Sequence, residues 1–566
     1  MNRVCLAILA LAVLAAACTA EAEVPAPRDA PPSADPPPSA PPQTASDAED
    51  LLRIACENLD HEVLLRTWRG VHPARSGDVQ IVPKDPNFVN GGLTHATPFD
   101  YTQEVPLLLY GPGYVRPGEY GRPVTLADLA PTTGALVDFA FEAPDGKAQA
   151  QALLPRSERP LPALVVTVIW DSAGTDVLER WPDSWPYLRS LADGGAWFTK
   201  ATVGASPSNT PIGHATIGTG AFPNRHGFVD EYVRVNGRLQ KPNANGPGFL
   251  LEPTLADLYD VAMGNEPKIG AIATLAAHVM MMSHGGQWGR GDRDLAVTRE
   301  KEFGETAGAE DVRWNLTSAM APFYELPGYV NELPPLAGYV EDVDRADGAL
   351  DGRWRENDLA QLSNGFDSPA RTPFQQTLVE TVIEREGFGA DDVPDLLYVN
   401  YKAIDTIGHL FSADGIEMSD AIRTQDAALE RFVEFLDVTV GRGRWVMIVT
   451  ADHGTQRDPE TSGAFMIDIN KLADGLVEAF DDDDEVELVQ RVRPTQVWLD
   501  LDELEENGYT LEQVSRWFLE LTQAETFKGQ RVPGPGSEGE TVFAAALPSS
   551  ILSELPCLPE ARASTP

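Results

Sequence analysis

Four stretches of the chain consist almost entirely of apolar residues, and each has the length of a single β-strand. They span residues 105–110, 164–170, 396–401 and 445–450. Uninterrupted apolar runs of this length are typical of strands that are buried on both faces of a parallel sheet. Because helix signals alternate with these runs, the pattern predicts an α/β fold, in which helices sandwich a central, largely parallel sheet.

Carboxylate and imidazole side chains follow three of these predicted strands. They are Asp171 after the second run, Asp405 and His409 after the third, and Asp452 and His453 after the fourth. The i, i+4 spacing of Asp405 and His409 places both on one face of a helix. Since open α/β sheets bind ligands outside the carboxyl ends of their strands, we expect the five groups to meet at one edge.

This mixture of ligand types suits zinc, and a pair of divalent ions can clamp the attacking and leaving oxygens of an in-line displacement. Each feature alone has an ordinary alternative. An Asp at a strand end is often a cap, an Asp-x-x-x-His pair is mostly a surface feature, and Asp-His-Gly is a common turn. Their joint occurrence after buried strands favours a metal site.

The N-terminus has the layout of an export signal. An apolar run at residues 4–17 follows Arg3 and ends in small residues before Cys18, so residues 1–18 are predicted to be a signal peptide. Cys18 resembles the cysteine of a bacterial lipoprotein box and is a candidate lipid anchor; a periplasmic or secreted protein is the alternative. Residues 19–46, rich in Pro, Ala and Ser, have too few large apolar groups to fold and are predicted to be a tether.

Charge excludes one class of protein, and the length of the apolar runs excludes another. Lysine and arginine total 43 against 86 aspartates and glutamates, which gives a net charge of −43. Such a field repels nucleic acid, so we exclude a nucleic-acid-binding protein. No run approaches the ~18 apolar residues of a membrane span, which excludes a multi-pass membrane protein.

Residues 207–214, which read PSNTPIGH, contain a candidate nucleophile. Pro211 predicts the first position of a helix, so Thr210 would be its N-cap, with backbone N–H groups facing an anion. These residues resemble the alkaline phosphatase superfamily, in the branch of the nucleotide pyrophosphatase/phosphodiesterases and of bacterial alkaline phosphatases with a threonine nucleophile. The matching segments are 168–171, 207–214, 405–409 and 450–454.

The resemblance implies two zinc ions, one held by Asp171, Thr210, Asp452 and His453 and the other by Asp405 and His409. The family completes the second site with a His near the C-terminus, but this chain has no His after His453. Residues 76–114 instead look like the family's C-terminal module, with His95 in the matching position. We therefore expect a circular permutation and assign His95 to the second zinc.

The permutation implies a domain organisation. Residues 47–145 are expected to be the permuted module, 146–162 a linker, 163–460 the catalytic core with an inserted cap at 285–375, and 461–566 a small α+β subdomain. The permuted ends would lie near each other, so we expect Cys56 and Cys557 to form a disulfide in an exported protein. Two unrelated thiols are the alternative.

In function, the resemblance implies a hydrolase of small-molecule or lipid-like phosphate esters that works through a covalent phospho-Thr210. Two departures favour phosphodiesters or nucleotide pyrophosphates. Glu231 stands where the family carries an Asn that donates to the phosphoryl group, and residues 270–275 lack the Lys and Arg that grip a dianion. Glu231 is thus a candidate substrate-binding residue, or a ligand of a third divalent ion.

Two alternatives to this function stay open. One is a phosphomonoesterase of the same fold, and the other is a non-catalytic, metal-binding surface protein. Of the remaining histidines, His214 and His226 match structural positions of the family, and His278 is expected to be a packing or capping residue.

Overall fold

The computed structural model describes residues 45–90, 93–242, 247–299, 313–481, 486–527 and 536–563. The predicted signal peptide with Cys18 lies outside the described residues, as does most of the predicted tether. The last two tether residues instead begin the first helix, Ala45–Asn58. Within the described ranges, none of the helices has the length and apolar character that crossing a bilayer requires.

The strands of the described residues are β1 (Val79–Pro83), β2 (Phe88–Val89), β3 (Leu107–Tyr110), β4 (Gly118–Tyr120), β5 (Val124–Thr125), β6 (Leu164–Trp170), β7 (Ala196–Phe198), β8 (Ala201–Thr202), β9 (Val233–Val235), β10 (Arg238–Gln240), β11 (Ile269–Ile272), β12 (Asp294–Val297), β13 (Tyr324–Glu325), β14 (Arg353–Trp354), β15 (Asn357–Asp358), β16 (Asp395–Tyr401), β17 (Trp445–Thr450), β18 (Met466–Ile467), β19 (Val489–Val492), β20 (Gln496–Leu499) and β21 (Phe543–Pro548).

The α-helices are α1 (Ala45–Asn58), α2 (His61–Arg69), α3 (Asp100–Gln103), α4 (Leu129–Leu136), α5 (Thr175–Arg180), α6 (Pro186–Gly194), α7 (Thr210–Thr219), α8 (Pro223–His226), α9 (Leu255–Ala262), α10 (Ala276–Met280), α11 (Leu336–Asp344), α12 (Arg371–Glu386), α13 (Ala403–Phe411), α14 (Ile416–Leu436), α15 (Pro459–Ser462), α16 (Ile469–Phe480), α17 (Leu501–Glu506), α18 (Leu511–Glu520) and α19 (Pro559–Ala563).

The main sheet has the order β13-β12-β11-β16-β6-β17-β3-β7-β4 in the described residues. At its centre β6 pairs in parallel with β16 on one side and β17 on the other, with Leu164 opposite both Asp395 and Trp445. All residues of these three strands are buried. They are three of the four predicted apolar runs, and the predicted α/β fold with a largely parallel sheet is confirmed.

The fourth apolar run enters the same sheet in the opposite direction. Strand β3 pairs antiparallel with β17, with Leu107 opposite Thr450. The prediction of a parallel strand was wrong here because a strand covered on both faces is apolar whichever way it runs. At the other edge β12 and β13, which come from the predicted cap at 285–375, extend the sheet in parallel beside β11.

A second, antiparallel sheet has the order β19-β20-β1-β21. Strand β1, from the N-terminal part of the chain, lies between two C-terminal strands, with Val79 opposite both Val497 and Pro548. Helices α16 and α18 bury apolar residues such as Leu472 and Phe518 against this sheet. Residues 47–145 therefore contribute strands to both sheets.

The two ends of the described chain are joined. Helix α1 packs against β21, and the side chain of Asn58 donates a hydrogen bond to the carbonyl oxygen of Ala544. A disulfide links Cys56 and Cys557, the pair that the resemblance implies. Around it Leu51, Leu64 and Leu555 are buried in a shared apolar cluster.

Removing this disulfide is expected to destabilise the protein, because the crosslink restricts the unfolded chain over nearly its whole length. We expect the double variant Cys56→Ser, Cys557→Ser to lose about 2–5 kcal/mol in free energy of unfolding. Urea denaturation without reductant measures this loss. The wild type in reductant is the control and should match the variant; an unchanged unfolding midpoint in both would contradict the prediction.

Candidate metal centre

Five of the predicted site residues lie beyond the carboxyl ends of the three central strands. Asp171 comes immediately after β6, and its backbone N–H donates to the carbonyl oxygen of Tyr401 at the end of β16. Helix α13 begins beyond β16 and carries Asp405 and His409, whose Nε2 lies 3.5 Å from Asp405 Oδ1. Because β6, β16 and β17 are parallel neighbours, their carboxyl ends deliver these side chains to one edge of the sheet.

Thr210 lies at the start of helix α7, although not in the position predicted for it. The N-cap is Asn209, whose side chain accepts a hydrogen bond from the N–H of Ile212, so Thr210 is the first helical residue. Pro211 has no N–H, and the helix start therefore offers fewer free donors than predicted. Gly213 lets α7 pack tightly on the loop after β17, since a Cβ there would come within 2.4 Å of the Asp452 carbonyl oxygen.

The structure also brings His95 to this edge. Its Nε2 lies 3.7 Å from Asp405 Oδ1, and its ring stacks on that of His453 with centroids 3.8 Å apart. The ring centroid of His409 is 5.2 Å away. All seven predicted site residues are therefore neighbours in the structure, namely His95, Asp171, Thr210, Asp405, His409, Asp452 and His453.

The three imidazoles all engage Nδ1 and leave Nε2 for another partner. Nδ1 contacts the carbonyl oxygen of Ser208 for His95, of Leu93 for His409 and of Gly454 for His453, at 2.9, 3.0 and 2.8 Å. Since a carbonyl oxygen can only accept, each contact requires a proton on Nδ1. In the neutral form of each ring the lone pair then lies on Nε2, the arrangement that metal-binding histidines show.

Two carboxylate oxygens at the site are buried without a hydrogen bond. These are Oδ1 of Asp405 and Oδ2 of Asp452, which have no hydrogen-bond partner among the described residues and have only histidine nitrogens at 3.3–3.7 Å as charged neighbours. Unpaired buried carboxylate oxygens are costly unless a cation compensates them. Together with the Nε2 atoms of the three histidines they form a ligand set of nitrogen and oxygen donors, which fits zinc.

The grouping of these ligands differs from the predicted assignment in one respect. Ligand atoms of Asp171, Asp452 and His453 lie within 4.8 Å of one another, as the first predicted zinc requires. However, His453 also shares such a group with His95 and Asp405. His453 thus lies between the two predicted sites, and its Nε2 is 3.1 Å from Thr210 Oγ.

A cation that the sequence analysis missed lies between the carboxylates. The Nζ atom of Lys402 donates to Asp171 Oδ1 at 2.8 Å and to Thr210 Oγ at 3.0 Å, and it lies 2.8 Å from Asp405 Oδ2. Burial disfavours the charged amine, but the carboxylates of Asp171 and Asp405 outweigh burial and raise the pKa of Lys402. Its position three residues before Asp405 was the available signal, since i, i+3 neighbours share a helix face.

The electrostatics of the site follow from burial and from unequal neighbours. Burial and the charge of Asp452 raise the pKa of Asp171 to about 6. Burial also favours a higher pKa for Asp405, but the positive charge of Lys402 outweighs burial. The pKa of Asp405 is therefore well below its usual range. The Asp405 carboxylate raises the pKa of His409 to about 9, whereas burial lowers that of His95.

Polar residues behind the ligands orient them. The Nδ2 atom of Asn400 donates to Asp171 Oδ2 at 2.8 Å and lies 3.1 Å from Nε2 of His214, whose Nδ1 is held by the Thr210 carbonyl oxygen. His278, which was expected to pack or cap, is buried and stacks on the ring of His214 with centroids 4.7 Å apart. It has no hydrogen-bond partner in the described residues, and its Nε2 lies 3.6 Å from Asp171 Oδ2.

Glu231 is not an unpaired anion. Its Oε2 lies 3.3 Å from an Nη atom of Arg493, whose Nε donates to the buried Asp230 at 2.8 Å. Arg493 follows β19, more than 250 residues after Glu231, so no sequence pattern predicts this pairing. This arginine reduces the repulsion that the Glu231 carboxylate would exert on a phosphoryl group.

The model of the family described as type I phosphodiesterase / nucleotide pyrophosphatase matches residues 165–530. The chain belongs to this family. The match contains six of the seven candidate ligands but begins after His95, which the segment preceding the family's core contributes.

Proteins similar to this chain include phosphatases. A Myroides odoratus protein named calcium-transporting ATPase is 25% identical over 354 residues, covering 55% of this chain and 63% of that protein. Alkaline phosphatase PafA of Elizabethkingia meningoseptica is 25% identical over 358 residues, covering 55% and 64%. The crystal structure of wild-type PafA matches with a TM-score of 0.49 at 17% identity, over 70% of this chain and 85% of that one. The chain thus spans less than two thirds of the length of these curated relatives.

Replacing His95 tests whether this histidine is a metal ligand in the protein. We expect His95→Ala to bind about one zinc ion per chain where the wild type binds two, because the second site loses one of its few donors. Elemental analysis after gel filtration measures the stoichiometry. The matched control is His61→Ala, a half-exposed histidine near Glu560, which should keep both ions. Two ions in His95→Ala would remove His95 from the ligand set.

Proposed function

We propose that this protein is an exported hydrolase of phosphate esters that uses two zinc ions and a covalent phospho-Thr210. The supporting observation is the set of ligand atoms grouped at this edge of the sheet: three Nε2 atoms with their Nδ1 atoms engaged, one of them 3.1 Å from Thr210 Oγ, and two buried carboxylate oxygens without hydrogen bonds. Asp171, Asp452 and His453 would hold one ion with Thr210, and Asp405, His409 and His95 the other.

When bound, the ions supply Lewis acidity that favours the threonine alkoxide and neutralises the leaving oxygen. The Thr210 oxygen forms a bond to phosphorus as the ester oxygen leaves, and water then breaks the Thr210–phosphorus bond and restores the hydroxyl. Lys402 supports the first step because its ammonium group, 3.0 Å from Thr210 Oγ, stabilises negative charge on that oxygen. His214 fixes the first turn of α7 through the Thr210 carbonyl oxygen.

For the substrate we propose phosphodiesters or nucleotide pyrophosphates. Glu231 occupies the position of a family donor, and β11 and the residues after it, 270–275, carry no cationic side chain. A diester has less charge at the reacting phosphoryl group than a monoester and needs fewer cations to bind it. The second candidate is a phosphomonoesterase, which Lys402 favours because a second negative charge on the phosphoryl group would gain from an ammonium group whose side chain is only 12% exposed.

Thr210→Ala is expected to abolish turnover while zinc stays bound, since the hydroxyl is the nucleophile and six other ligands remain. Steady-state assays on a chromogenic diester and elemental analysis measure the two properties. Thr210→Ser is the control and should keep measurable activity and a phosphate adduct detectable by mass spectrometry after acid quench. Undiminished turnover in Thr210→Ala would exclude the covalent mechanism.

The wild type is expected to have a higher kcat/KM for bis(4-nitrophenyl) phosphate than for 4-nitrophenyl phosphate.

The variant Lys402→Met tests the alternative, a phosphomonoesterase. A hydrogen bond from a charged group contributes about 1.5–3 kcal/mol. If Lys402 grips a dianion, Lys402→Met therefore lowers kcat/KM on the monoester by a further ~10–100-fold relative to the diester. A monoester preference that disappears in Lys402→Met would identify the phosphomonoesterase instead.

The variant Glu231→Asn, assayed on the same two substrates, tests the role of Glu231. We expect its kcat/KM to rise on both esters, because the change removes an anion and frees the Nη atom of Arg493 that faces it, while Nε stays bound to Asp230. Lower activity together with the loss of a bound metal would instead make Glu231 a ligand of a third divalent ion.

A further inference from the structure

A second group of carboxylates lies outside the candidate metal centre. It consists of Asp260 in helix α9, Asp292 in the loop before β12, and Asp294 at the first position of β12, each with one oxygen within 4.8 Å of the others. No step of the proposed reaction uses these residues. They lie beside the edge of the main sheet that β12 and β13 form.

Two carboxylates of this group are buried, and a negative charge on them requires a compensating positive charge. Asp260 is 3% and Asp294 7% exposed, whereas Asp292 is accessible to solvent. Oδ1 of Asp260 has no hydrogen-bond partner among the described residues. Burial raises the pKa of Asp260 to about 7, and it raises that of Asp294 well above the usual range.

The charged residues around the group do not neutralise it. Asp257 adds a further carboxylate, and its oxygen is already bound by Nδ1 of His284 at 2.7 Å. Arg293, between Asp292 and Asp294 in the sequence, donates through its guanidinium group to the carbonyl oxygens of Tyr324 and Ala321. The cationic side chain nearest to the group in sequence therefore donates to backbone carbonyl oxygens and not to the carboxylates.

A further unpartnered oxygen lies close by. The backbone N–H of Asn265 donates to the carbonyl oxygen of Asp260 at 2.9 Å, and its Nδ2 donates to that of Arg290 at 3.0 Å. Oδ1 of Asn265 is inaccessible and has no partner in the described part of the chain. These contacts hold the end of α9 against the loop that carries Asp292.

We propose that Asp260, Asp292 and Asp294 bind a divalent cation of the calcium type, which clamps the end of helix α9 to the start of strand β12. The donors are all hard oxygens, as calcium prefers, and the group offers no nitrogen or sulfur to attract zinc. The exposed Asp292 gives the ion a path to solvent. Bound there, the ion compensates the buried carboxylates and fixes β12 beside β11.

The test uses the full-length, zinc-loaded protein, so that the candidate metal centre is already filled. We expect isothermal titration with CaCl2 to show one calcium ion per chain, and excess calcium to raise the melting temperature by about 2–5 °C. Magnesium, which prefers to keep its water ligands, should raise it less.

Two variants and a control make the result specific. Asp292→Asn changes an exposed residue and should fold normally, while Asp260→Asn removes the charge of the buried carboxylate; both should lose calcium binding and the thermal shift. Asp183→Asn, at an exposed position elsewhere, should keep both. Absence of calcium binding in the wild type, or an equal shift in Asp292→Asn, would overturn the proposal and leave the carboxylates protonated.

Discussion

The structure depends on the burial of three carboxylates at one edge of a parallel sheet. Asp171 and Asp452 are fully buried and Asp405 is 4% exposed, although a buried charge without a partner is among the most expensive features a fold can contain. The ammonium group of Lys402 and five imidazoles surround these acids, those of His95, His214, His278, His409 and His453. Much of the polar architecture near Thr210 can be understood as compensation for this concentration of negative charge.

Much of the fold could be predicted because burial on both faces leaves a plain record in the sequence. The runs that became β6, β16 and β17 are apolar at nearly every position, and each has the length of its strand. Direction and pairing leave no such record. Strand β3 has the same apolar character but runs antiparallel, and the position of β1 between β20 and β21 depends on residues far along the chain.

The candidate site was predictable where ligands follow strand ends, and unpredictable where a role depends on a distant partner. Asp171, Asp405 and Asp452 stand directly after or shortly beyond apolar runs, so their convergence follows from the topology of a parallel sheet. Lys402 escaped notice because a lysine near a helix start usually lies in solvent. The pairing of Glu231 could not be predicted because its partner, Arg493, belongs to another part of the fold.

The place of β1 within the second sheet has a consequence for biosynthesis. This strand leaves the ribosome early, but both of its neighbours, β20 and β21, are among the last segments to be made. Until then its apolar residues and backbone edges have no native partner, a condition that favours association with other chains. A chaperone that shields the N-terminal segment until synthesis ends would therefore affect the yield of folded protein more than its final stability.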